Sequence, residues 1–232
     1  MNLSRKIVSV AAAAALVAGA GLAAASPAAA NKKPTIKGDT NILVPTALIT
    51  AASEAGITVA PIDPARALAT MEIVDVQFPV VGPVGDGILR HRGGLSFASA
   101  NTGITLTFTN PSIEWGTGPG IEAGAQILGT IGGVPDAAGG AQLNGNRAPV
   151  FDVKNAKVTS KKGKIAKDGK KGFKRTDSVV ITGDVSIVDN ATVVGLLNQL
   201  MGTEIFMAGM PFGATAVDFK VTVYCKTKKA CR

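Results

Sequence analysis

The stretch Ile88–Trp115, which reads ILRHRGGLSFASANTGITLTFTNPSIEW, indicates the fold of this chain most clearly. Its second half alternates Ile104, Leu106 and Phe108 with threonines, and this period of two predicts a strand with one apolar face and one hydroxyl-bearing face. A shorter apolar run precedes that strand, and turn-forming residues at 99–103 separate the two. We therefore predict a β-hairpin in this stretch.

Short segments of the same kind recur along the rest of the chain. Near the C-terminus, alternation would place five apolar residues on one face of a strand: Val217, Phe219, Val221, Val223 and Cys225. Two short helices are predicted at 45–56 and 189–202, the second capped by Asp189 or Asn190. Because no strand–helix–strand rhythm occurs, we predict one mainly β domain at 40–232, either an antiparallel β-sandwich or a partly open barrel.

The N-terminal residues have the pattern of a secretory signal peptide. Arg5 and Lys6 precede the apolar run Ile7–Leu22, and small residues follow it. A membrane anchor is the alternative, but the run is shorter than the roughly 18 apolar residues that a spanning helix needs. We expect cleavage of residues 1–30, a flexible N-terminus at 31–39 and a secreted or cell-wall-associated protein outside the membrane.

The formal net charge is +8 at pH 7, and the positive charge is concentrated in two segments. Residues 154–175 carry nine Lys and one Arg against Asp168, and we predict a basic hairpin loop there. The C-terminal tail holds four more basic residues: Lys226, Lys228, Lys229 and Arg232. A cell-envelope polyanion is the candidate partner of the loop, with these candidate contacts: Lys161, Lys162, Lys164, Lys167, Lys170, Lys171, Lys174 and Arg175. The alternative is a solvated loop that keeps the protein soluble. Since Phe173 is the single aromatic residue there, sequence-specific nucleic-acid binding is not expected.

Cys225 and Cys231 are the two cysteines of the chain. A secreted chain with two cysteines usually oxidises them, so we predict a structural disulfide that stabilises the fold by roughly 2 kcal/mol. A zinc site would need further ligands, and we predict no metal.

His91 is the single histidine, and it lies between Arg90 and Arg92. We expect it on a strand surface, where its positive neighbours would disfavour the protonated ring. Ser96 lies in a weak approximation to a serine elbow that lacks the strand-to-helix turn, and the acidic residues are scattered. We therefore predict no catalytic residues and a protein that is not an enzyme.

The second predicted helix and the residues after it hold an apolar group: Leu196, Leu197, Leu200, Met201, Phe206, Met207, Met210 and Phe212. Such a group fits ordinary core packing, and it also fits the wall of a pocket for a small apolar ligand.

The segments HRGGL, TLTFTNPSIEW and IEAGAQILG, in that order, resemble the repeated surface domain of the actinobacterial haem-uptake proteins called Htaa. The resemblance implies an extracellular, β-rich cell-envelope domain with His91 at the position of the family's conserved His. The family's axial haem ligand is a Tyr near the start of the domain, whereas the single Tyr here is Tyr224. The resemblance therefore leaves His91 and Tyr224 as candidate haem ligands.

These observations lead to one main functional hypothesis and one alternative. The main hypothesis is a secreted, non-enzymatic cell-envelope binding or structural protein without a cofactor. The alternative is binding of haem or another small apolar ligand, as the Htaa resemblance implies.

Overall fold

A computed structural model describes residues 34–82, 88–115, 125–169 and 172–231. These ranges hold twelve strands: β1 (Thr35–Pro45), β2 (Ile57–Ile62), β3 (Arg66–Ala69), β4 (Ile73–Val81), β5 (Ile88–His91), β6 (Gly94–Ser99), β7 (Thr105–Trp115), β8 (Ala125–Gly132), β9 (Arg147–Lys161), β10 (Ile165–Lys167), β11 (Phe173–Ile187) and β12 (Pro211–Cys225). Three α-helices accompany them: α1 (Thr46–Glu54), α2 (Gly140–Leu143) and α3 (Ala191–Met201). The predicted signal peptide, at 1–30, lies outside the described residues.

Eight of these strands close into an antiparallel barrel. The order around the ring is β1, β4, β5, β7, β8, β9, β11 and β12, and β12 pairs with β1 to complete it. The other four described strands extend the sheet, with β6 on β7, β2 on β6, β3 on β4 and β10 on β11. The predicted mainly β, antiparallel fold class is confirmed, with a closed barrel as the architecture.

Side-chain alternation fills the barrel with apolar groups. All five residues predicted for the inner face of the last strand are buried, which fixes the orientation of β12. Near the centre, the Phe108 and Phe151 rings meet edge to face with centroids 6.0 Å apart, and Phe212 lies 4.7 Å from Phe151. Such aromatic pairs bury large areas, so this cluster contributes strongly to the core.

The predicted hairpin forms from β6 and β7, and helix α3 packs against its turn. The Ser99 hydroxyl donates to the Met201 carbonyl at 2.7 Å, and the Thr102 hydroxyl donates to the Leu200 carbonyl at 2.8 Å. These bonds satisfy carbonyls at the helix end that have no partner within the helix. At the other end Asn190 accepts from two backbone amides, as a cap does.

Both predicted helices are confirmed as α1 and α3, and helix α2 adds a single turn. Among the described residues, no helix combines the length and the apolar character needed to cross a membrane.

The predicted flexible N-terminus is wrong for residues 35–39, which belong to β1. This strand pairs with β4 on one side and β12 on the other. A Cβ at Gly38 would lie 2.1 Å from the Asp218 carbonyl oxygen, so the glycine allows the two strands to approach closely. Charged residues at Lys37 and Asp39 point outward and made the segment look like a tail.

The predicted basic loop at 154–175 is also largely wrong, because β9 continues to Lys161 and β11 begins at Phe173. The short strand β10 pairs with β11 between them. Ile165 and Phe173 pack against the core from this segment, whereas most of the lysines point outward. The segment is therefore an extension of the sheet with a charged outer face.

Candidate functional site

His91 lies at the end of β5 with its side chain inside the barrel, where it is 4% exposed. The expectation that it lies on a strand surface is wrong. Alternation along β5 turns Leu89 and His91 inward and Arg90 outward, so the arginine and not the histidine reaches the outer side of the wall. Beside the ring, a space of ≈10 Å³ is lined mostly by apolar groups such as Phe78 and Ile113, which is too small for a ligand.

Both ring nitrogens of His91 are hydrogen-bonded. Nδ1 lies 3.1 Å from the Pro111 carbonyl oxygen, and Nε2 lies 2.6 Å from Thr40 Oγ1. Because a carbonyl oxygen can only accept, we assign the hydrogen to Nδ1, and Nε2 then accepts from the Thr40 hydroxyl. The neutral ring thus has a partner on each side.

Burial lowers the pKa of His91 to about 4, although the hydrogen bond with Pro111 acts in the opposite direction. Desolvation disfavours the charged ring. Sequence analysis predicts the direction of this pKa shift but attributes it to the two neighbouring arginines, whereas burial is the main cause.

A larger cleft of ≈540 Å³ adjoins the same part of the wall, and the buried His91 contributes to its lining. Its lining comes from β4, β5, β7, β9 and the residue after β5: Val81, Ile88, Arg90, His91, Arg92, Asn110, Ser112, Glu114 and Arg147. Three arginines and one glutamate among these residues give the cleft an excess of positive charge. Its volume falls within the range of roughly 300–1,000 Å³ that is usual for small-molecule sites.

Arg147 is held in this cleft by a β-bulge in β7. The strand register shifts between Thr109 and Ser112, and Asn110 takes a positive φ of 48°. The Arg147 guanidinium donates to the Asn110 carbonyl at 3.0 Å and to the Ser112 hydroxyl. Its Nη2 also lies 3.9 Å from Glu114 Oε1. The side chain is 40% exposed, and its guanidinium also donates to the Leu128 carbonyl at 3.0 Å.

The bulge connects the inner and outer sides of the wall. The Asn110 carbonyl accepts from Arg147 on the outside, and the next carbonyl, that of Pro111, meets His91 on the inside. Sequence analysis missed Arg147 as a site residue, because it lies 56 positions from His91 along the chain. The Asn-Pro pair that interrupts the alternation was the available signal for the bulge.

Tyr224 is not brought together with His91. It lies on β12 between the buried residues Val223 and Cys225, so its side chain points to the outer side of the barrel. In the ring, β1 and β4 separate β12 from β5. The two candidate haem ligands therefore lie on different strands and on opposite sides of the wall.

The predicted polyanion contacts divide into two groups. Lys161, Lys162, Lys164 and Lys167 are exposed and Lys174 is half-buried, whereas Lys170 and Lys171 lie outside the described residues. Arg175 is buried, and its Nε lies 2.8 Å from Asp177 Oδ1 in a salt bridge. The prediction that Arg175 contributes to an exposed contact surface is therefore wrong.

Cys225 and Cys231 are bonded, with their Cα atoms 5.6 Å apart. This pairing supports the predicted disulfide. Within the described ranges, no group of three or more His, Cys, Asp or Glu side chains could hold a metal ion.

The apolar group around α3 belongs to the core. Leu200 and Met201 are buried in a cluster with Ile57 and Leu106, and Phe212 lies in the main barrel core. Met207 is 61% exposed. The core-packing interpretation of this group therefore holds.

The architecture has counterparts among solved structures. The haem-binding protein HtaB from Corynebacterium glutamicum superposes with a TM-score of 0.51 at 12% identity, over 82% of this chain and 96% of that one. The barrel has the fold of HtaB. This likeness confirms, for the fold, the weak resemblance to Htaa-type domains. The C-terminal domain of HtaA from the same organism aligns at a TM-score of 0.45 and 8% identity, over 81% of this chain and 99% of that one. No protein-family profile and no characterised protein matches the sequence itself.

Proposed function

We propose that this protein binds a small ligand with carboxylate groups, of the class that includes haem, in the cleft that contains Arg90, Arg92 and Arg147. The observation that carries the proposal is the cleft itself, which combines a volume of ≈540 Å³ with three arginines, two beside His91 and the third on β9. The likeness of the fold to a haem-binding protein, HtaB, adds support.

Arginine is suited to this task because its planar guanidinium can bind a carboxylate through two parallel hydrogen bonds. Arg92 is exposed at the cleft, and Arg147 keeps an exposed part while the bulge fixes its position. A ligand that brings two carboxylates, as haem does through its two propionates, could bind to both. Ile88 and Val81 supply apolar surface beside these charges.

The residues present do not fit coordination of a haem iron. An axial histidine needs a nitrogen that faces the ligand, but both nitrogens of His91 are engaged inside the barrel. Tyr224 lies on the outer side of β12, away from the cleft. We therefore propose that the protein contacts the carboxylates and the apolar surface of the ligand, and not its metal.

We propose binding and not catalysis as the activity. Thr40, His91 and Pro111 form a hydrogen-bonded chain in the order of a nucleophile, a base and an orienting group. However, the two residues are only 2% and 4% exposed, which leaves little of their surface for a substrate to contact. A base with a pKa of about 4 is also a weak proton acceptor near neutral pH.

We also propose that the protein acts outside the membrane, as a secreted or cell-wall-associated binding protein. The support is the signal-peptide pattern at residues 1–30, together with the cysteine pair. Mass spectrometry of the protein recovered from its native host tests this point. A chain that begins near Asn31 is expected, and a retained Met1 would contradict it.

Titration of the purified protein with haem, followed by absorption, tests the ligand proposal. Arg92→Ala is expected to weaken binding by about tenfold or more, because a charge-assisted hydrogen bond is lost. Arg66→Ala is the matched control, since Arg66 is exposed on β3 and does not line the cleft. Equal affinities for all three proteins would contradict the assignment of the cleft.

A further inference from the structure

The two basic segments of the sequence meet at one end of the barrel. Strand β11 pairs with β10 on one edge and with β12 on the other. Phe173 lies opposite Lys167 on one side and opposite Cys225 on the other, directly before Lys226. The resulting basic end surface consists of Lys161, Lys162, Lys164, Lys167, Lys174, Lys226, Lys228 and Lys229. Seven of these lysines are exposed and Lys174 is half-buried.

Few acidic residues balance this charge. Residues 161–177 and 223–231 contain two acids, Asp168 and Asp177. Asp177 is engaged by the buried Arg175, with Nη2 2.8 Å from Oδ2 in addition to the contact through Nε. Its charge is thus compensated locally, and the lysines give the surface a large positive excess.

The C-terminal tail is fixed to the barrel, so its lysines have a defined position. The disulfide connects Cys231 to the end of β12, and the Arg175 guanidinium donates to the Cys231 carbonyl. The 3₁₀ turn Lys229–Cys231 packs against β11 and β12, which places Lys228 and Lys229 at the end of the barrel where β10 pairs with β11.

The lysines lie on the outer face of strands and on turns, and no lysine lines either of the two cavities described above. Such a surface offers separate, compact positive charges and does not enclose a single ligand or polymer strand. The two aromatic residues of this end, Phe173 and Tyr224, are half-buried, so base stacking has little support. A planar surface with closely spaced phosphates can meet the lysines that follow β9, those on β10 and those of the C-terminal tail at once.

We propose that the basic end surface binds an anionic phospholipid membrane by electrostatic attraction. This site is separate from the arginine cleft, and it stands independently of the proposed function. A polybasic surface of this size gains affinity from each lysine that approaches the lipid phosphates, and added salt screens the attraction.

Co-sedimentation with vesicles tests the proposal. The vesicles contain phosphatidylcholine with or without phosphatidylglycerol. The test variant replaces four exposed lysines by glutamine: Lys164, Lys167, Lys228 and Lys229. The control variant makes the same change in net charge by replacing four other exposed basic residues with glutamine: Lys37, Lys154, Lys157 and Arg66.

The control residues lie outside the surface, and two of them lie beside acids. Lys37 lies two residues from Asp39 on the outer face of β1, and Lys154 lies opposite Asp184. Their removal changes the total charge but leaves the proposed surface intact.

The chain is expected to sediment with phosphatidylglycerol vesicles and not with phosphatidylcholine alone. The test variant should lose about tenfold or more in affinity, and the control variant should retain most of it. For the unmodified chain, raising the ionic strength from ~0.05 M to ~0.3 M should release the protein. Equal losses in both variants, binding that salt does not weaken, or binding to soluble polyphosphate without binding to vesicles would each overturn the proposal.

Discussion

Thr40 and His91 are connected across the barrel interior by a hydrogen bond of 2.6 Å, although β4 separates their strands in the sheet. Both side chains are buried, and among the described residues the other hydrogen-bond partner of the imidazole ring is the Pro111 carbonyl. The contact therefore links three strands of the wall, β1, β5 and β7, through one imidazole.

Replacing Thr40 by Val should destabilise the fold. The shape is nearly conserved, but Nε2 of His91 would lose its donor, and an unsatisfied buried polar group costs about 1–3 kcal/mol. Urea unfolding of Thr40→Val and of the control Thr40→Ser measures the effect. The serine variant keeps the hydroxyl and should lie much closer to the unmodified chain. A valine variant as stable as the unmodified chain would show that the hydrogen bond contributes nothing.

The stability should also depend on pH through His91. Its pKa is 6.5 in the unfolded chain and about 4 in the folded one, so the unfolded chain binds more protons between these values. The contribution of the neutral ring is therefore fully present above pH 6.5 and is lost as the pH falls towards 4. The difference corresponds to about 3 kcal/mol.

Urea unfolding between pH 7.5 and 4.5 measures this dependence. The chain contains a single histidine, so a His91→Gln variant removes this contribution without affecting another imidazole. The unmodified chain should lose more stability than the variant over this interval. Parallel curves for the two proteins would argue against the predicted dependence.

The fold could be predicted from sequence wherever one face of a strand is consistently apolar. β12 and the first half of β7 belong to this group, because their alternation is unbroken over several residues. The closure of the barrel could not be predicted in this way. It depends on pairing of Thr35 with Thr222 and of neighbouring residues, and a local pattern does not encode such a distant register.

The candidate site, like the fold, could be predicted only in part from the sequence. Arg90 and Arg92 are adjacent to His91 in sequence, so the positive charge near the histidine was evident. The direction of the His91 side chain was not evident, because the four residues of β5 give too short an alternation to assign its faces. Arg147 reaches the cleft through the pairing of β9 with β8 and of β8 with β7, which only the tertiary structure shows.

The predicted basic loop at 154–175 was largely wrong for a related reason. Lysines dominate its composition, and composition alone favours a solvated loop. Strand β10 pairs with the edge of β11 through backbone hydrogen bonds, and Ile165 and Phe173 supply the apolar contact with the core. Few apolar residues are needed for this pairing, so the strands are hard to detect in the sequence.

The ion pair between Arg175 and Asp177 should be important for the end of the barrel. Replacing Asp177 by Asn would leave a buried guanidinium without a compensating charge, a change that commonly costs about 3–5 kcal/mol. Thermal unfolding of Asp177→Asn, with Asp218→Asn as the exposed control, measures the loss. If the two variants unfold at the same temperature, the pair does not have this role.

We propose that the arginine cleft binds its ligand through carboxylates and without a protein ligand to iron. Fluorescence and absorption titrations with haem and with iron-free protoporphyrin distinguish this mode from iron coordination. The two affinities are expected to lie within about threefold of each other, a difference below about 1 kcal/mol, since the iron adds no bond to the protein. Both affinities should fall in Arg92→Ala and persist in Tyr224→Phe. Tight binding of haem without binding of the iron-free porphyrin, or loss of haem binding in Tyr224→Phe, would show instead that the protein coordinates the iron.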